Sequence, residues 1–195
     1  MIKAIVFDCF GVLYLHRGPE FLRSHAPNYT AVKQQLHDLS NQADYGLITQ
    51  SDYEQRVAEL TGIPIKEVHN GVLHGFGRND DLMNYIERVL RHNYTIGMLS
   101  NISRGSMEQF FTEHERQKLF DAVALSGETG MIKPSPSAYV HICDELGIDT
   151  SEAIMVDDSS ENCRGAVLAG MQAIQYDGLP NFKKQLEILL QKTTN

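Results

Sequence analysis

The chain has 195 residues, 42% hydrophobic and 22% charged with no low-complexity tract, which is enough for one good core and a small second unit. Its formal charge of -8 argues against nucleic acid or an anionic membrane surface as a partner, because most faces would repel phosphates. Three cysteines without CxxC spacing suggest neither a disulfide framework nor a zinc site, and the eight histidines are scattered rather than paired at ligand spacing.

The N-terminus lacks the charged start, long apolar middle and small-residue cleavage site of a secretory signal. No apolar run approaches the roughly 20 residues needed to span a bilayer, so the chain reads as cytoplasmic, with no membrane partner.

Ala4-Ile5-Val6-Phe7 is a continuous apolar run of the kind found in parallel strands covered on both faces. It delivers Asp8 to its carboxyl end, where ligands sit in such sheets, just before a turn at Gly11. The interval from Leu13 to the next clear strand, at Thr95 to Leu99, is too long for a structureless loop, so an inserted helical unit is expected. Within it, Thr49 and Asp52 have the spacing of a capping box for a helix running to about Leu60. Flanking helices are expected near Tyr29 to Leu39 and Ile65 to Leu73, and Gly71, Gly75 and Gly77 suggest a hinge or return linker.

From Asp80 onward, Leu82, Tyr85, Ile86, Val89 and Leu90 follow the spacing of a core-facing helical stripe. Strands and helices then alternate. Tyr94 to Leu99 ends in Ser100-Asn101, and Ser103 is placed to cap a helix carrying Met107, Phe110 and Phe111. Phe120 to Leu125 ends in Ser126-Gly127, a helix runs from Ser135 to Leu146, and Ala153 to Val156 ends in Asp157-Asp158. A helix from about Ser160 to Ala169, a strand over Gln172 to Tyr176 and a final helix with Phe182, Leu186, Leu189 and Leu190 complete the pattern. Such alternation predicts an α/β fold with a doubly wound parallel sheet.

The strand ends therefore bring Asp8, Ser100, Asn101, Ser126, Asp157 and Asp158 to one crevice, with Lys133 in the adjoining loop. Each residue alone has an ordinary explanation as a turn or cap; their coincidence at successive strand ends points to a site. Converging carboxylates repel unless a cation lies among them, and ligands that are all oxygen favour a hard ion, Mg2+ by preference. Lys133, Ser100 and backbone N–H groups would then complement phosphoryl oxygens.

These motifs, in this order over essentially the whole chain, resemble the haloacid dehalogenase-like superfamily. Phe7-Asp8-Cys9-Phe10-Gly11-Val12-Leu13 looks like its first motif, Leu99-Ser100-Asn101 its second, Gly130 to Pro136 its third, and Val156 to Asn162 its fourth. The resemblance implies a Rossmann-like core, residues 1–13 and 80–195, with a helical cap at 14–79. It further implies that Asp8 is a nucleophile forming an aspartyl-phosphate, that Ser100 and Asn101 bind the phosphoryl group, and that Lys133 stabilises both. Asp8, the Phe10 carbonyl and Asp158 would ligate Mg2+, with Asp157 acting through water or as a further ligand.

One departure stands out. Family phosphatases mostly carry a second Asp two residues after the nucleophile, which protonates the leaving alcohol and later activates water; here Phe10 stands there. The 2-haloacid dehalogenases of the superfamily also lack that acid, but they replace the metal-binding acid of the fourth motif, whereas Asp157-Asp158 is kept. The sequence thus favours a Mg-dependent phosphohydrolase acting on a small phosphorylated metabolite, such as a sugar phosphate. A phosphate-binding or regulatory relative with little turnover, and a 2-haloacid dehalogenase, remain as alternatives. Without a substitute acid, substrates with good leaving groups such as sugar 1-phosphates should suffer least. Tyr14, His16 and Arg17, just beyond the nucleophile loop, are candidates to touch substrate or lend a proton.

Overall fold

The computed structural model describes residues 1–16, 18–74 and 76–192. In chain order the elements are β1 Ala4–Phe7, β2 Tyr14–His16, α1 Gly18–His25, α2 Tyr29–Asp44, α3 Gln50–Thr61, α4 Ile65–His74 and β3 Phe76–Arg78. They continue with α5 Asp80–Arg88, β4 Thr95–Ser100, α6 Glu113–Leu119, β5 Ala122–Leu125, α7 Ser126–Thr129 and α8 Pro136–Leu146. Then come β6 Ala153–Asp157, α9 Ser160–Leu168, β7 Gln172–Gln175 and α10 Leu179–Lys192.

The expected doubly wound sheet is present: five parallel strands in the order β5-β4-β1-β6-β7. The chain winds outward from β1 through β4 to β5, then crosses to the other side of β1 for β6 and β7. A crevice opens where the winding reverses, at the carboxyl ends of the central strands.

β1 is buried throughout, and its side chains alternate between the two helical layers. Ile5 and Phe7 join the layer holding Leu82, Ile86, Phe111 and Phe182, whereas Ala4 and Val6 join that of Tyr139, Ile142 and Ala166. This double coverage explains why the strand reads as an unbroken apolar run. The helices α1 to α4 pack around a cluster of their own, including Leu22, Val32, Leu36, Val57 and Val68.

A two-stranded antiparallel ribbon, β2 with β3, carries the chain into and out of these helices. Sequence periodicity does not reveal it, because three-residue strands are too short to establish a period. Asn79 anchors its base: its amide donates to Val12 O at 2.8 Å and Tyr176 Oη at 2.9 Å, while its Oδ1 accepts from Leu82 N at the start of α5.

Two local expectations need correction. The return from the helices is made by regular elements rather than a loose linker: Gly71 lies within α4, where a Cβ would stand 2.3 Å from the Phe21 ring, and Gly77 lies within β3. Gly75 falls outside the described residues. Ser103 does not cap a helix either. The helix after it is α6, capped by Thr112 in a capping box with Glu115, while Met107–Gln109 form only a 3-10 turn. Ser103 has no acid three residues on to complete such a box, and its hydroxyl instead donates to Gln50 Oε1 at 2.8 Å.

Phe182 is fully buried and meets Phe7 edge to face at 5.8 Å, under the strand that carries Asp8. Phe182→Ala should cost about 3–5 kcal/mol of unfolding free energy, read as a lowered urea midpoint at constant slope.

Candidate active site

The site is built on the carboxyl ends of β1, β4 and β6. The parallel register places Phe7 beside both Met98 and Val156, so the residues following these strands emerge side by side. Asp8 is 7% exposed, and its backbone N–H donates to Val156 O at 2.9 Å, which fixes the start of the turn. Its Oδ1 accepts from Cys9 N at 2.6 Å and faces Lys133 Nζ at 2.8 Å.

Lys133 is the central cation. It is 3% exposed, and its ammonium also donates to Asp157 Oδ2 at 2.6 Å. Asn101 holds the lysine backbone from both sides, accepting from Lys133 N at 2.9 Å and donating to Lys133 O at 3.0 Å. Asp157 is fully buried and saturated: besides Lys133 it accepts from Ser159 N at 2.9 Å and, on both oxygens, from Asn162 Nδ2 at 3.1 Å.

Asp8, Asp157 and exposed Asp158 each offer a carboxylate oxygen within 4.8 Å of the other two. Three acids against one lysine is an electrostatic deficit. The Asp8 carboxyl is raised to about 7: burial pushes it up, Lys133 pulls it down, and Asp157 and Asp158 add to the upward push. Asp158 is raised by burial and by Asp157. Burial pushes Lys133 down, but Asp8 and Asp157 outweigh it and the net direction is up. The donor set is all oxygen with surplus negative charge, which suits a hard divalent cation. Asp158 and Asp8 have lone pairs to offer, whereas those of Asp157 are already engaged.

Ser100 ends β4 at 1% exposure, and among the described residues its hydroxyl has no hydrogen-bond partner. A buried hydroxyl left unpaired costs about 1–3 kcal/mol, so it marks a place where a bound polar group belongs. Phe10 lies at the mouth, its ring edge to face with Phe110 at 5.0 Å. Arg17 falls outside the described residues. Tyr14 is committed elsewhere, its hydroxyl donating to Phe110 O.

Above the site lies a cavity of about 580 Å3 between the sheet ends and the helices α2 and α3. One face of α2 lines it at helical spacing, through Tyr29, Lys33, Leu36, His37, Ser40, Ala43 and Asp44. Gln50, Asn101, Ser103, Ser106 and Gln109 add polar groups, and Leu22, Ile102 and Phe110 apolar ones.

Sequence reading gave no role to Asn162, which orients Asp157.

The match to known proteins agrees with this arrangement. A model of haloacid dehalogenase-like hydrolases matches residues 2–170. The chain is 33% identical to the N-acylneuraminate-9-phosphatase of Mus musculus over 85 residues, 43% of this chain and 34% of that protein, so the match spans about a third of the relative's length. It is 24% identical to the D-ribitol-5-phosphate phosphatase of Bacteroides thetaiotaomicron over 97% of this chain and 99% of that one. Among solved structures, a haloacid dehalogenase family enzyme of Bacteroides thetaiotaomicron, in complex with magnesium and inorganic phosphate, superposes with a TM-score of 0.74 at 24% identity, covering 89% of this chain and 93% of that one.

Gly11 has a φ of +85°, and a Cβ there would stand 2.2 Å from the Asp158 carboxylate. Gly11→Ala should therefore displace Asp158 and weaken Mg2+ binding by about 10- to 100-fold in a calorimetric titration, with an unchanged circular dichroism spectrum.

Proposed function

The chain belongs to the haloacid dehalogenase-like hydrolases, and on that premise we propose that it is a Mg-dependent phosphohydrolase of a small polyhydroxylated phosphate ester. The observation that carries this reading is the trio Asp8, Asp157 and Asp158 around one buried lysine, a site short of one divalent cation's worth of positive charge. The unpaired Ser100 hydroxyl supports a phosphoryl group alongside it. The amide- and hydroxyl-lined cavity suits a sugar or sugar-alcohol leaving group, and the similarity to an N-acylneuraminate-9-phosphatase and a D-ribitol-5-phosphate phosphatase supports the same class.

In this reading residues 1–13 and 80–195 form the core and 14–79 the cap. Asp8, the Phe10 carbonyl and Asp158 would hold Mg2+, which when bound neutralises charge on the transferring phosphoryl group. Asp8 Oδ1 is engaged by Lys133 and Cys9 N–H, which leaves Oδ2 to attack phosphorus and form the aspartyl-phosphate. Lys133 and Ser100 donate to the phosphoryl oxygens. Asn101 acts on them through its two-way grip on the Lys133 backbone, and Asp157 holds the lysine's charge in place.

The two carboxylates of the fourth motif weigh against a metal-free dehalogenase, since they would then crowd the nucleophile without compensation. The reading is tested by phosphate release from a panel of sugar and sugar-alcohol phosphates. Activity should require Mg2+, disappear in EDTA, and fall to background in Asp8→Asn with the fold retained. Chloride release from 2-chloropropionate that is insensitive to EDTA would replace it with the dehalogenase. Silence in both assays with Mg2+ still bound would replace it with a phosphate-binding relative.

A further inference from the structure

Phe10 leaves the proposed reaction without its usual proton donor. We propose that Asp44, contributed by the last turn of α2, is the catalytic acid and base, protonating the leaving alcohol and then activating the water that attacks the aspartyl-phosphate. The assignment rests on the phosphohydrolase reading above.

Three observations place it there. First, among the described residues lining the cavity Asp44 is the sole carboxylate, and it shares that lining with Phe10 and Asn101, which flank Asp8 and Lys133. Lys133 is near enough for its charge to act on the Asp44 carboxyl. Second, the residue is fastened to the core: Ser126 Oγ, at the end of β5, donates to the Asp44 carbonyl. Two residues on, Gly46 turns the chain with a φ of +70°, so close to Gly127 that a Cβ would stand 2.8 Å from its carbonyl oxygen. Asp44 is thus held against the core even though it belongs to the inserted helices. Third, Asp44 is half-buried at the cavity wall, and its carboxylate has no hydrogen-bond or ion-pair partner among the described residues.

Its acidity also fits. Burial pushes the Asp44 carboxyl up to about 6, against a smaller downward pull from Lys133, close to the range in which one group can both give and take a proton at neutral pH. The competing groups fit less well. His37 and Lys33 lie seven and eleven residues earlier on α2, about 10 and 16 Å along its axis, and are exposed at the mouth. Tyr53 is pushed up to about 12 by burial and by Asp44 itself, too weak an acid to be the donor.

The steps balance. Asp8 Oδ2 forms the bond to phosphorus as the ester P–O bond breaks, and the departing oxygen takes the Asp44 proton. Water then attacks phosphorus, its proton returns to the Asp44 carboxylate, and the Asp8–phosphorus bond breaks to release phosphate.

The leaving group provides the test. 4-Nitrophenolate departs without a proton, so Asp44→Asn should still release about one nitrophenolate per site in a rapid burst, with the aspartyl-phosphate detectable by mass. Steady-state turnover should then fall ~10²- to 10⁴-fold. With a sugar phosphate the same variant should show no burst. In Asp44→Ala, formate should restore part of the turnover by occupying the vacated space. Turnover within twofold of wild type, or loss of burst and turnover together with no formate rescue, would overturn the assignment. Failure of the wild-type chain to hydrolyse any phosphate ester in an Asp8-dependent way would instead overturn the phosphohydrolase reading, and the assignment with it.

Discussion

Everything at the crevice depends on one buried charge. An ammonium ion at 3% exposure would be untenable alone, because desolvation of an unpaired ion costs several kcal/mol. Lys133 is tolerable because Asp8 and Asp157 flank it within 2.8 Å, and its charge in turn pulls the Asp8 carboxyl down against the upward push of burial. The lysine is therefore as much the support of the acids as they are of it. One acid, Asp158, is left over and exposed, and its unbalanced charge suits the site to a cation.

The rest of the core keeps that arrangement in register. Asn101 at the end of β4 grips the Lys133 backbone, tying the lysine loop to the strand beside that of Asp8. Asn162, in the first turn of α9, saturates Asp157 and is itself held by Tyr139 Oη, which donates to its carbonyl at 2.7 Å. That hydroxyl ties α8 to α9 across the same layer, so the packing of Tyr139 and Ile142 against Val6 sets the position of the charged groups above it. Core and site share residues, and a change in either would be felt in both.

The inserted helices solve a different problem. They have a cluster of their own, so they can stand over the crevice without borrowing the main core. The far end of α2 is nevertheless tied to β5 through Ser126 and pressed against Gly127. Gln50, at the start of α3, reaches Ser103 and Ser106 at the sheet ends. The roof is thus anchored at the sheet ends and open where Lys33 and His37 lie.

Much of this was legible in the residues alone. The unbroken run before Asp8 betrays a strand buried on both faces, and the acids and serine at successive strand ends mark the crevice, because parallel topology brings carboxyl ends together whatever the loops do. The capping box at Thr49 gave the start of α3 to the residue. What the sequence could not decide was how the acids divide their roles. Asp157 and Asp158 are neighbours in the chain, yet strand pleating buries one against Lys133 and leaves the other exposed, a distinction that depends on a lysine 24 residues away. Asp44 was out of reach for the same reason. A lone acid at a helix end has no period and no partner in sequence, and its place above the crevice comes only from packing contacts made by Ser126 and Gly127, some 80 residues further along the chain.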